Sequence, residues 1–418
     1  MTPDAATVAP STSARPLTGI RVLEVADVLA AYAGRLLVDL GAEVVRLEAA
    51  DGAGSVRLGP HHAEPGRPPV SLFERFVNAG KRSMTLDLAA AEAGEVLDRL
   101  LGAVDVLLVS PEQVLAVHGV SDAHLDANHP HLIRVVVTPF GRESTTPGEE
   151  VDDLLLLAKG GLLHLGGYPD AGPVVPFGAQ STFMASIYAA VAAVTGLLSR
   201  QRDGAGVSMD VSAQECVAQA LEDSVVGYAL TGDLRQSQGD SAKEAGTGIY
   251  RCADGYVSVV AGRLGTAPAW AALVDWLVET DTPGSDELRD EQWTQFAYRQ
   301  QPEAVTRFQV VFERFAATRT RQALYLEAQR RKIALSPVND LAAVLDNEQL
   351  RHRDFFVTLD DPEAGRPLTF PKAPYRFGGT PLDPPTVAPR RGADTTAVLA
   401  EVGLGPAELH GLVERGVV

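Results

Sequence analysis

The strongest constraint on the fold is an alternation of short apolar runs with helical spacing near the start of the chain. Ile20-Arg-Val-Leu-Glu-Val25 suits a buried strand, Ala30 to Leu40 carries helical spacing that Gly41 ends, and Glu43-Val-Val-Arg-Leu-Glu48 reads as a second strand. Strand, helix and strand with short joins form a βαβ unit, which implies parallel pairing and a right-handed crossover. Ser83 to Leu88, Asp105 to Val109 and Leu132 to Thr138 continue the strands, with a helix through Glu92 to Leu101. Residues 17 to about 140 are therefore expected to form an open, Rossmann-like parallel α/β sheet.

The pattern changes further along. Asp153 to Ala158 reads as helical, Phe183 to Ser199 as a long helix rich in small residues, and Val207 to Ser212 as a strand. Gly246 to Gly255 reads as a hairpin feeding a strand over Tyr256 to Ala261, and charged helical sequence follows to about Arg331. Nine of the 27 prolines fall between Ser336 and Pro389, beside a helix around Leu341 to Arg351. The expected organisation is a flexible arm over 1–16, a large α/β domain over 17–224 and a smaller α+β domain over 225–331. An extended proline-rich connection then covers 332–400, and a C-terminal helix over 401–418 returns to the large domain.

Composition excludes several function classes. The net charge of −18 opposes binding to nucleic acid, which needs basic surface against phosphate, and opposes docking on an anionic membrane. Residues 1–16 lack the apolar core of a secretory signal, and no run was found that approaches the 18 or so apolar residues of a membrane span. The two cysteines, Cys216 and Cys252, have no metal-type spacing, and a reduced cytoplasmic setting is expected. His61-His62 has no partner spacing, so no metal site is expected.

Four strings, in order, carry a resemblance. They are Leu17-Thr-Gly-Ile-Arg-Val-Leu-Glu-Val25 with Leu37 to Glu48, Asn78-Ala-Gly-Lys-Arg-Ser-Met-Thr-Leu-Asp-Leu88, Gly204-Ala-Gly-Val-Ser-Met-Asp-Val-Ser212, and Asp346-Asn-Glu-Gln-Leu-Arg-His-Arg-Asp-Phe-Phe356. Together they resemble the family III CoA-transferases of the CaiB/BaiF type, which include formyl-CoA, carnitine and bile-acid CoA-transferases. The likeness spans about residues 17 to 390. It implies an interlocked, ring-like dimer, with CoA or acyl-CoA as a substrate rather than a permanently bound cofactor. It also places CoA on the large domain near the first βαβ unit, where Arg46, Lys81 and Arg82 could supply positive charge. The residue-level alternative for these three is a set of solvated cations.

The resemblance puts the family's nucleophilic aspartate in the segment Ala179-Gln-Ser-Thr-Phe-Met-Ala-Ser, where this chain has Thr182. A carboxylate is ionised at neutral pH and leaves readily once acylated, whereas a threonine hydroxyl has neither property. Other departures accompany it. Val109-Ser-Pro-Glu-Gln-Val, with Glu112, replaces the family's Asn-Phe-Arg-Pro-Gly loop. Arg142-Glu-Ser replaces Gln-Thr-Gly, and the Gly-Pro expected near Ala30-Ala-Tyr32 is absent.

Asp152 and Asp153 align with a Tyr-Asp or His-Asp pair of the family. They read either as bases or, more simply, as caps of the following helix. His164 could orient a carboxylate substrate or close a helix, and Gly246-Thr-Gly248 could be a mobile loop or a hairpin turn. Three functions follow from these readings. The chain is a CoA-transferase acting between an acyl-CoA and a free carboxylic acid, alone as a homodimer or in a heteromer with a related chain. Alternatively it is a non-catalytic partner of an aspartate-bearing relative, or a repurposed acyl-CoA isomerase or lyase.

Overall fold

The computed structural model describes residues 15–26, 28–49, 58–110, 120–145, 151–168, 171–237, 239, 244–263, 265–378, 380 and 382–418. Two compact units divide the chain. One comprises 1–163, 176–233 and 349–418, and the other 164–175 and 234–348.

The first unit is built on strands β1 (Arg21–Ala26), β2 (Glu43–Glu48), β5 (Arg82–Thr85), β6 (Val106–Ser110), β7 (Ile133–Thr138) and β8 (Ser208–Ser212). The short pair β3 (His61–His62) and β4 (Val70–Ser71) lies apart from this sheet. The six strands are parallel, in the order β5-β2-β1-β6-β7-β8. Numbered by their own succession this is 3-2-1-4-5-6, the doubly wound order whose ligand crevice opens at the carboxyl ends of the first and fourth strands. Here those strands are β1 and β6, paired from Val22↔Val106 to Ala26↔Ser110.

Both faces of the sheet are covered, so its central strands are apolar on both sides. Leu23, Val25, Val45, Leu47, Leu107 and Val109 pack into one layer with the helix Ala93–Gly102 and the C-terminal residues Val398, Leu399, Leu412 and Val417. Val22, Val44, Val106, Leu108 and Val135 face the other layer, with Ala30, Ala33 and Leu37 of the helix Val28–Asp39 and Ala185, Ala189 and Ala193 of the helix Gln180–Asp203. These small side chains let helix and sheet approach closely. A Cβ on Gly196 would lie 2.6 Å from Ile133 Cγ2.

The helix Gln180–Asp203 is an exception to the expectation that no run could span a membrane. It has 24 residues and a mean hydropathy of 1.6, and passes that test by length and composition. Its alanine-rich face is instead packed inside the unit.

Residues 349–418 belong to the first unit. β5 is an edge strand, and its backbone N–H groups at Ser83 and Thr85 donate to Asp394 Oδ2 (2.9 Å) and Thr395 Oγ1 (3.0 Å). Capped in this way, the edge is closed to stray pairing. The segment 332–400 is not uniformly extended. It holds strand β11 (Ala334–Pro337) and the hairpin of β12 (Phe356–Asp361) with β13 (Arg366–Pro371), and the expected helix over 341–351 is two short ones, Leu341–Leu345 and Glu348–His352.

In the second unit β11 pairs with β10 (Gly255–Val260), which pairs with β9 (Thr247–Cys252), all antiparallel. All three tryptophans lie in its core, with Trp270 stacked on Trp293 at 5.9 Å and Phe308, Phe312 and Phe315 alongside.

Leu399 is fully buried between the C-terminal helices and the sheet. Leu399→Ala is expected to lower the unfolding free energy of the first unit by about 2–5 kcal/mol, read as a lower urea midpoint. An unchanged midpoint would show that the C-terminal helices do not hold the sheet.

Candidate active site

The helix Gln180–Asp203 begins at Ala179, whose side chain makes no capping hydrogen bond. The cap comes from elsewhere. Asp153 Oδ1 accepts from Ser181 N (2.7 Å) and from Ser181 Oγ (2.7 Å). A carboxylate placed there satisfies an orphan amide and meets the positive end of the helix dipole. Asp152, the preceding residue, caps its own helix Asp153–Lys159 by accepting from Leu155 N at 2.9 Å. The Asp152-Asp153 pair thus ties two helix starts together.

Thr182 follows Ser181 and is only 2 % exposed. Beside it Phe183 meets the Tyr32 ring edge-on at 4.8 Å, and Phe73 and Phe76 lie about it with centroids at 6.2 Å. Burial pushes the Tyr32 phenol above its ordinary range. The helix start therefore holds a buried Thr182 beside an aromatic cluster around Phe183, and the carboxylate of Asp153 is already engaged by the preceding Ser181.

A second cluster lies beneath the helix Val28–Asp39. Lys81 Nζ contacts Glu24 Oε1 (2.7 Å), the Ala31 carbonyl (2.7 Å) and Asn78 Oδ1 (2.9 Å), so all three of its donors are used. Both side chains of the Lys81–Glu24 pair are wholly buried. Burial pushes the Glu24 carboxyl up and the Lys81 ammonium down to about 8, each opposed by its partner's charge. Gly34 makes room for the pair, since a Cβ there would fall 1.8 Å from Glu24 Oε2. Arg46, opposite Glu24 in the β1–β2 register, lies 3.2 Å from Glu48 and 3.7 Å from Glu74.

The structure therefore places Arg46 and Lys81 inside a carboxylate-rich interior. Arg82 is nearer the surface, where it donates to Glu401 and pairs with Glu43. Arg46 and Lys81 are brought together through Glu24, and Asp153 meets Ser181, the residue before Thr182, whereas Asp152 is turned to its own helix. Glu112 lies outside the described residues. His164 is exposed on the short helix Leu162–Leu165, in the second unit. Gly246 turns the chain at φ 83° into β9, with its carbonyl accepting from Ala261 N at 2.8 Å. Glu24, Asn78 and Ser181 went unrecognised as site residues in the sequence. The available signal was Glu24 itself, a charge set within an apolar strand.

A doubly wound sheet with its crevice at β1 and β6, together with a helix start beside an aromatic cluster, defines an α/β protein of the class that binds its ligand at the carboxyl ends of the strands. The family follows from comparison: residues 17–395 match CoA-transferase family III, and the chain belongs to it. It is 34% identical over 400 residues to the succinyl-CoA:(R)-benzylsuccinate CoA-transferase subunit BbsE of Thauera aromatica, covering 95% of this chain and 97% of that one. It is 24% identical over 417 residues to the succinyl-CoA–L-malate CoA-transferase beta subunit of Chloroflexus aurantiacus, covering 98% and 99%. The fold matches the crystal structure of a CaiB/BaiF family protein from Brucella suis with a TM-score of 0.80 at 24% identity, over 93% of this chain and 99% of that one. The chain thus belongs to a family whose named relatives here are subunits that transfer CoA between CoA thioesters and carboxylic acids.

Lys81→Ala would leave Glu24 buried without its counter-charge, and is expected to cost about 3–5 kcal/mol of stability. Chemical denaturation measures this. A loss below about 1 kcal/mol, the size of an exposed pair, would contradict the buried-pair assignment.

Proposed function

We propose that this chain is one subunit of a two-chain CoA-transferase, moving CoA between a succinyl-CoA-like donor and a second carboxylic acid, with the nucleophilic carboxylate supplied by a related partner chain. The observation that carries the reading is Thr182. It is buried where the family resemblance expects the aspartate, and the nearby carboxylate of Asp153 is held by Ser181.

The chemistry requires a carboxylate. It attacks the acyl-CoA carbonyl, expelling CoA thiolate and forming a mixed anhydride. The thiolate then attacks the enzyme's carbonyl, releasing the donor acid and leaving an enzyme-CoA thioester. The incoming acid reverses both steps and departs as the new acyl-CoA. A threonine acylated in the first step would be an ordinary ester with a poor leaving group, and exchange would stop there.

Two further features support a subunit role. The relatives named above carry the word subunit in their own names. On this chain Ile187, Val191 and Leu198 form an exposed apolar stripe along the helix Gln180–Asp203, and Val225, Val226 and Leu230 are exposed on the helix Ser224–Thr231. Exposed apolar surface of this extent is what a partner chain covers. In this reading CoA lies at the β1–β6 crevice, and Lys81 and Arg46 brace the strand ends around it without touching phosphate. The reaction belongs in the cytoplasm, where the two free, buried thiols of Cys216 and Cys252 stay reduced.

Thr182→Ala in the assembled enzyme is expected to leave kcat within about twofold, because its hydroxyl carries no bond-making step. A fall of about 10²-fold or more with the assembly intact would put the chemistry on this chain.

A further inference from the structure

We propose that Asp98, His124 and His129 form a binding site for a divalent transition metal of the zinc class. Asp98 lies on the helix Ala93–Gly102, His124 on the helix Asp122–Asn128, and His129 is the residue that closes that second helix. A single oxygen gathers them. Asp98 Oδ1 is 2.7 Å from His124 Nε2 and 2.8 Å from His129 Nε2, and the three ligand atoms lie within 4.8 Å of one another.

Two imidazole nitrogens with one carboxylate oxygen are a donor set suited to Zn²⁺ and its neighbours in the first transition row. Ligand distances of about 2.1 Å in tetrahedral geometry separate the donors by roughly 3.3 Å. The two Asp98 contacts need to open by about half an ångström to admit the ion, with the two imidazole nitrogens, within 4.8 Å of each other, adjusting to the same spacing.

The setting is favourable to an ion. The His129 side chain is 6 % exposed and makes a firm floor, while His124 at 33 % and Asp98 at 45 % leave an approach from solvent and room for a water ligand. Asn128 Nδ2 lies 3.2 Å from His124 Nδ1. Metal capture at Nε2 leaves the His124 proton on Nδ1, so the Asn128 amide must release that contact. None of these residues belongs to the Thr182 or Lys81 clusters. Bound metal would staple two helices of the first unit and stabilise it in proportion to its affinity.

The test uses the untagged full chain, stripped with a chelator and titrated with Zn²⁺ against a chromophoric competitor. One Zn²⁺ per chain is expected, with a rise in thermal midpoint on binding. His124→Ala and Asp98→Asn should each weaken binding by more than about tenfold, while the double variant His61→Ala, His62→Ala binds as the unaltered chain does. Absence of stoichiometric binding, undiminished affinity in both site variants, or loss of binding in the His61/His62 variant would each overturn the assignment.

Discussion

Lys81 and its three acceptors hold together the part of the chain on which the rest is organised. One ammonium joins β1 through Glu24, the helix Val28–Asp39 through the Ala31 carbonyl, and the end of the helix Leu72–Val77 through Asn78. Buried charges of this kind are costly to desolvate and are retained only where geometry satisfies them. Here Lys81 uses all three of its donors to tie the first βαβ unit to the start of β5, while Glu24 Oε2 stays buried without a hydrogen-bond partner among the described residues. The absent side chain of Gly34 is part of the same arrangement, because any larger residue would displace the Glu24 carboxylate.

The helix Gln180–Asp203 depends on that frame. Its small residues lie against the helix Val28–Asp39, and Ser186 Oγ donates to the Leu29 carbonyl at 2.9 Å. Its start is held by Asp153 through Ser181, with Thr182 buried and Phe183 packed among Tyr32, Phe73 and Phe76. The scaffold of a CoA-transferase is therefore intact, with a hydroxyl at the position where the family resemblance expects a carboxylate. A scaffold kept in this form is useful to an enzyme if a second chain brings the carboxylate.

The regular elements were legible because each strand and helix declares its own period. β2 coincides with the run read from Glu43 to Glu48, and the other strands of the large sheet shift by a few residues at their ends. The hairpin β12–β13 was hidden because Pro367 and Pro371 read as strand breakers. In a two-stranded ribbon a proline can turn its missing N–H outward, and the ladder survives. The membership of residues 164–175 in the second unit was equally hidden, since a short segment carries no period that links it to residues 70 positions away. At the site, Arg46 and Lys81 were read as cations for phosphate because their carboxylate partners are distant in sequence, with Glu24 57 residues before Lys81. The Asp98–His124–His129 cluster escaped for the same reason, its ligands being set on two helices 26 and 31 residues apart in the chain.

The most direct measurement is to isolate the tagged chain from its native host, identify what accompanies it, and assay CoA transfer from succinyl-CoA with and without that companion. The account predicts an equimolar second family III chain with an aspartate at the position matching Thr182, and transfer by the pair but not by this chain alone. A homodimer of this chain that transfers CoA unaided would contradict it.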